Sequence, residues 1–222
     1  MFKLFGPDHL CVLLVILAVS FALIFNAKRI HQLRDDRWIR YPLAFFLLLN
    51  GLSAQLYALQ SGIYGLPLHL CDLALVAMIW TLLIPNRYVK EMAYFWGLAG
   101  SSQAILTPDL AAGFPSFPWS AFFFTHGGVV VSAVYLLARG NLNLTLASIW
   151  RAWGIGNIYL IFVALFNWHF GTNYMYLVRK PAHPSLLDYL GSWPYYILTG
   201  EITALIVFFL CYRLSKIMEQ TR

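Results

Sequence analysis

The chain has 222 residues, 60% of them hydrophobic and 11% charged, and its mean hydropathy is +0.68. A soluble domain carries about 25% charged residues, so the composition excludes a water-soluble globule and reads as an integral membrane protein. The formal net charge of +6 is not a nucleic-acid footprint, because no basic, aromatic-interleaved soluble surface exists to carry one.

Apolar runs long enough to cross about 30 Å of hydrocarbon are predicted at His9–Ala27, Tyr41–Ser61, Pro67–Ile84, Arg87–Leu106, Pro118–Ala138, Ser148–Phe170 and Trp193–Lys216. The expected fold is therefore all-α: a seven-transmembrane-helix bundle, one domain over 1–222. The fourth run is the weakest, because Glu91 and the Gly-Ser-Ser-Gln stretch at 100–103 dilute it. The first run is not a cleaved signal peptide, since its positive cluster follows the apolar stretch and no A-x-A site is evident.

Lys and Arg collect on cytoplasmic segments. With the N-terminus outside, twelve of the 15 cations fall on that side: Lys28, Arg29, Arg34, Arg37, Arg40, Arg87, Lys90, Arg139, Arg151, Arg213, Lys216 and Arg222. Lys3, Arg179 and Lys180 remain outside. The expected topology is N-terminus outside and C-terminus cytoplasmic, in the cell membrane, with the basic side suited to anionic lipid headgroups. Asn143-Leu144-Thr145 matches a glycosylation acceptor but falls on the cytoplasmic side and is discarded. Cys11, Cys71 and Cys211 are too few and scattered for a disulfide framework, and Cys11 and Cys211 are expected to be buried apolar fillers.

The unusual polar residues gather in the extracytoplasmic half. His9 opens the first helix, and His69, Cys71 and Asp72 begin the third. Asp109 follows the fourth. His126 lies roughly 12 Å down the fifth helix, with Glu201 at a similar depth in the seventh. Ionisable groups at membrane depth are costly and face a bundle interior or a wet cavity, so one outward-opening polar cavity is expected. The alternative is separate interhelical hydrogen bonds that hold the bundle together.

Helical geometry bears on Cys71. Pro67 suits the first position of a helix, placing Cys71 near a helix N-terminus whose positive end favours a thiolate. His69 and Cys71 are two apart and point to different sides. His69 and Asp72 are three apart and can meet, with Asp72 orienting the imidazole. A base for the thiol must come from another helix: His126 first by depth, His9 second. A Cys–His pair is an arrangement for nucleophilic catalysis through a thioester. A zinc site from His9, His69, Asp72 and His126 lacks any H-E-x-x-H or closely spaced histidine pair, so no metal and no cofactor is expected. The outer loop Gly171–Lys180, with Asn173, Tyr174, Tyr176, Arg179 and Lys180, is expected to fold back over the mouth between the third and fifth helices as a lid that brings Asn173 toward Cys71. An interfacial anchor lying on the headgroups is the alternative.

The runs Leu-His-Leu-Cys-Asp (68–72), Thr-Pro-Asp (107–109), Phe-Phe-Thr-His-Gly (123–127), Gly-Thr-Asn-Tyr-Met-Tyr-Leu (171–177) and Leu-Gly-Ser-Trp-Pro-Tyr (190–195) resemble the YwaF-like bacterial integral membrane proteins. These are similar in turn to a eukaryotic acyltransferase family, transmembrane protein 164, and more distantly to transmembrane fatty-acid-ester hydrolases. The resemblance implies a catalytic cysteine at Cys71 and a partner histidine at His126. It does not fix a substrate. The function expected is lipid acyl transfer or lipid-ester hydrolysis at the outer leaflet, acting on membrane phospholipid or a fatty-acyl substrate. His69, Asp72 or Asn173 would orient groups or stabilise the oxyanion, and Arg179 or Lys180 would engage a lipid phosphate. The alternative is a non-catalytic receptor, channel or transporter whose cavity binds a small molecule or ion.

Overall fold

The computed structural model describes residues 1–62 and 65–221; Arg222, the last of the predicted cytoplasmic cations, lies outside the described residues. The described residues form helices and no strands. In order these are α1 (Pro7–Phe25), the short α2 (Ala27–His31), α3 (Arg37–Gln60), α4 (Leu70–Leu83), α5 (Arg87–Phe95), α6 (Ser101–Leu106), α7 (Phe117–Arg139), α8 (Leu146–Phe170) and α9 (Tyr195–Gln220). A π-helical turn, Trp96–Gly100, joins α5 to α6, and 3₁₀ turns occur at Tyr174–Tyr176 and Leu186–Tyr189.

Local sequence sets the ends. The Asn86 side chain accepts from the Tyr88 and Val89 amides to start α5. Ser116 accepts from the Trp119 amide to start α7, and Thr145 with Ser148 forms a capping box on α8. Such side-chain acceptors satisfy first-turn N–H groups that have no helical partner. Gly140 and Gly171 end α7 and α8 in the left-handed conformation, at φ 74° and 65°, where a Cβ would be unfavourable.

Five helices are long and apolar enough to cross a membrane: α1, α3, α7, α8 and α9. The chain is thus a multi-pass membrane protein. The third and fourth predicted runs differ from expectation. Pro67 lies outside α4, which begins three residues later with His69 as its N-cap and is only 14 residues long. The fourth run is helical from Arg87 to Leu106, but it passes through the π turn at the Gly-containing stretch that had diluted its hydropathy.

α7 is the hub. In its most apolar window 72% of residues are buried, against 6–17% in the other four long helices. α1, α3, α4 and α6 all pack on it. Adjacent glycines make the closest approaches possible: a Cβ on Gly127 would lie 2.7 Å from Ile16 Cδ1 of α1, and one on Gly128 would lie 2.9 Å from Leu47 Cδ2 of α3. Small residues at such crossings let helices pack closely where the lipid supplies no hydrophobic drive.

Glu91 of α5 is fully buried. It accepts from Arg151 of α8 at 2.8 and 2.9 Å, and more weakly from Arg87 at 3.4 Å. The residue that weakened the fourth run is therefore an interhelical tie, neutralised by a partner 60 residues away.

Candidate functional site

The Cys71 end of the bundle is assembled from the start of α4, the upper half of α7, the loop after α6 and the segment between α8 and α9. Cys71 is the second residue of α4 and is half-buried. The Asp72 carboxylate accepts from the His69 backbone N–H at 2.9 Å. The expected Asp72–imidazole contact is thereby replaced: the N-cap geometry turns the carboxylate back onto the helix terminus, where it satisfies a free donor. The His69 ring is held by the segment between α8 and α9 instead, with Nδ1 accepting from the Met175 amide at 3.3 Å. The rings of Tyr174 and Tyr176 each pack 5.5 Å from it.

His126 is buried in α7. Its Nδ1 lies 2.9 Å from the Phe122 carbonyl, which fixes Nδ1 as the protonated nitrogen and leaves Nε2 as an acceptor. The ring stacks on Phe122 with centroids 4.1 Å apart. Among the described residues no hydrogen bond joins His126 to Cys71. His126 lies within electrostatic reach of His69, and Cys71 within reach of Tyr159 of α8 and Tyr176 of the loop.

His9, the second choice of base, is fully buried elsewhere. Its Nε2 lies 2.7 Å from the Ile105 carbonyl and its Nδ1 accepts from the Phe5 amide at 3.0 Å. Both ring nitrogens are committed to tying the N-terminus to α6, so His9 is not available as a base for Cys71. Glu201 accepts from Asn157 Nδ2 at 2.8 Å, a bond between α9 and α8. His9, His69, Asp72 and His126, the set weighed for zinc and set aside, form no cluster of three or more metal-ligating side chains among the described residues.

The segment between α8 and α9 packs over the start of α4. The Leu66 amide donates to Tyr174 Oη at 2.7 Å. Tyr176 Oη donates to Asp109 at 2.9 Å, and the Tyr176 carbonyl accepts from Tyr196 Oη. His183 bonds the other Asp109 oxygen. Met175 and Tyr176 both take left-handed backbone, at φ 57° and 55°, a conformation that costs non-glycine residues about 1–3 kcal/mol and persists only where surroundings enforce it. Asn173, however, faces its own loop. Its Oδ1 accepts from the Val178 and Arg179 amides, both at 3.0 Å, and its Nδ2 donates to the Arg179 carbonyl at 2.9 Å. Its oxygen and one of its two N–H donors are thus spent within the loop, and no hydrogen bond joins it to Cys71 among the described residues. Lys180 Nζ sits 3.8 Å from Asp188 and over the Tyr196 ring, while Arg179 contributes its backbone to the Asn173 knot.

Asn167, which sequence reasoning did not select, anchors the lid. It is buried near the end of α8, bonds Tyr174 through both amide and carbonyl at 2.9 Å, and accepts from Thr172 Oγ1 at 2.8 Å. An asparagine one turn before a helix-ending glycine was the available signal.

Beside these groups lies a cavity of about 620 Å³ between α3, α4, α7 and α8, walled mainly by leucine, alanine and phenylalanine. Its few polar groups include Asp72, His126, Gln55, Thr125 and Tyr159. Cys71 is not among the lining residues; its neighbour Asp72 is. The Leu70 amide has no hydrogen-bond acceptor among the described residues and the Cys71 amide lies against its own sulfur, whereas the next two amides donate to the His69 carbonyl. First-turn N–H groups at a helix start are ready donors to a developing oxyanion.

Comparison with curated proteins and with solved structures returns no match. The comparison with protein families does: residues 4–212 match the TMEM164 family, nearly the whole bundle and every site residue described above, and the chain belongs to that family.

Proposed function

We propose that this protein is a membrane-embedded lipid acyltransferase or lipid-ester hydrolase, with Cys71 as nucleophile and His126 as its base. The observation that carries the reading is the apolar cavity of about 620 Å³ with a histidine acceptor in its wall beside the start of α4. A long apolar slot with few convergent polar groups suits an acyl chain ending in a polar head. In the proposed reaction His126 Nε2 takes the Cys71 proton as sulfur attacks the ester carbonyl. The tetrahedral oxyanion is held by the Leu70 and Cys71 amides. Its collapse breaks the ester C–O bond, His126 returns the proton to the leaving alcohol, and a thioester remains. An acceptor hydroxyl or water then attacks the thioester, and the thiol is restored.

The topology belongs to the same proposal. α4, together with the lid above it, and the helical path from Arg87 to Leu106 complete seven crossings, with the N-terminus outside and the site facing the outer leaflet of the cell membrane. Tyr174 and Tyr176 shape the mouth of the site. Lys180 and Arg179 lie on the lid, where a lipid phosphate would approach.

One observation favours a second reading: Cys71 does not line the cavity and makes no bond to His126. On that reading the slot binds a lipid or small molecule without chemistry. The experiment that separates them uses purified protein in nanodiscs with a phospholipid bearing a radiolabelled acyl chain. The acyl-transfer reading expects hydroxylamine-sensitive label on the protein, absent in Cys71→Ala and reduced in His126→Ala. Turnover in Cys71→Ala at the wild-type rate overturns it.

A further inference from the structure

The opposite end of the bundle carries a second polar pocket that the acyl-transfer reading does not use. It is small, about 70 Å³, and lies where α3 starts, α4 ends, α5 starts and α7 ends; its charged walls are Asp36, Arg40, Lys90 and Arg139. Asp36 is the scaffold. One carboxylate oxygen accepts from Arg40 Nε at 2.8 Å. The other accepts from Tyr135 Oη at 2.7 Å and Arg139 Nε at 3.0 Å. Both guanidiniums are further fixed by carbonyls: Arg40 on Leu82 at 2.6 Å, Arg139 on His31 and Leu33 at 2.6 and 2.9 Å. Lys90 Nζ reaches the Asn141 carbonyl at 3.1 Å.

Three cations against one anion leave two positive charges in excess around the pocket. Asp36 already accepts at both oxygens, so it is a poor ligand for a further cation. Lys90 makes one hydrogen bond and retains two donors, and Arg40 retains donors on its second terminal nitrogen. An independent feature points the same way. Thr81 also lines the pocket, it is 2% exposed, and its hydroxyl has no hydrogen-bond partner. A buried hydroxyl without a partner is costly and calls for an acceptor in the adjoining space. The volume is about twice the ~30 Å³ a water occupies in the liquid, room for one tetrahedral oxyanion and too little for a nucleoside.

We propose that this pocket binds a phosphate group, held by Lys90, Arg40 and Thr81 on a frame fixed by Asp36 and Arg139. The phosphate arrives either as a soluble anion or as the monoester headgroup of phosphatidic acid. Fixed, partly desolvated donors of this kind make strong charge-assisted bonds to phosphate oxygens.

The test uses the full chain in nanodiscs at constant ionic strength, reading thermal stability. One arm titrates inorganic phosphate against chloride in phosphatidylcholine discs. The other compares discs with and without phosphatidic acid. Stabilisation in the first arm assigns a soluble source, and stabilisation in the second alone assigns a lipid source. Thr81→Val keeps the side-chain shape and removes the unpartnered hydroxyl, so the unliganded protein is expected to be at least as stable. Its apparent dissociation constant should nevertheless rise about tenfold, the effect of losing one hydrogen bond to a charged group. Lys90→Gln should raise it further. The proposal is overturned if neither ligand stabilises the wild type beyond chloride, or if both variants respond like the wild type.

Discussion

Asn173 shows how a side chain of the right chemistry can be claimed by its surroundings. Its amide closes three hydrogen bonds within residues 173–179, so it shapes the lid from outside the reaction. Asn173→Ala is expected to lower stability by about 1–3 kcal/mol and to lower turnover in parallel, as measured by thermal unfolding beside the label assay. Asn173→Asp, which keeps the acceptor for both amides, should recover most of the stability. Loss of turnover with unchanged stability would return Asn173 to the oxyanion. Asp36 makes a prediction at the same scale. Burial alone would raise its carboxyl, but hydrogen bonds from Tyr135, Arg40 and Arg139 outweigh it and hold the pKa down at about 2, against an ordinary 3.8. A carboxyl lowered on folding contributes stability above its unfolded value and loses it as pH falls through the folded one. Unfolding free energy should therefore drop by about 2 kcal/mol between roughly pH 4 and pH 2, and Asp36→Asn should remove that component of the slope.

Among the elements, the path from α5 through the π turn to α6 explains why hydropathy is a poor guide to this segment. Met92, Ala93, Tyr94 and Phe95 are buried inside the bundle, and a helix that meets few lipids need not be uniformly apolar. Glu91→Gln should destabilise the protein by about 3 kcal/mol, because it leaves Arg151 without its charge partner. That figure is the lower end of the usual range, since the Arg151 side chain is 32% exposed. Thermal unfolding checks it, and Glu91→Gln with Arg151→Met should be less damaging than the single change. On α7, Gly128→Val drives a branched side chain into Leu47 and Phe46. We expect loss of the folded protein in detergent, against a milder effect for Gly154→Val, where a Cβ meets open space.

Across the whole molecule, two polar clusters occupy opposite ends. The cysteine, the two histidines near it and the lid occupy one end, while Asp36, Arg40, Lys90 and Arg139 occupy the other. A reporter fused before Met1 should read extracytoplasmic, and one fused after Arg222 cytoplasmic; both on one side would mean an even number of crossings. The amino-acid sequence by itself determined the helical, membrane-spanning class, because mean hydropathy and run length are local properties that lipid enforces directly, and its short motifs carried the family; of the seven spans it predicted, five are helices long and apolar enough to cross. It also located Cys71, Asp72 and His126 near one end, since depth along a helix follows from residue count. It could not determine that Pro67 lies outside α4, that Asp72 turns onto a backbone amide, or that His9 is committed to Ile105. Nor could it find Asn167 as the anchor of the lid, or Thr81 beside a cationic pocket. Those outcomes depend on which donor and acceptor meet across helices far apart in the chain, and a buried polar group takes whichever partner the packing brings within about 3 Å. Spacing along one helix limits the choices, and only the tertiary structure makes them.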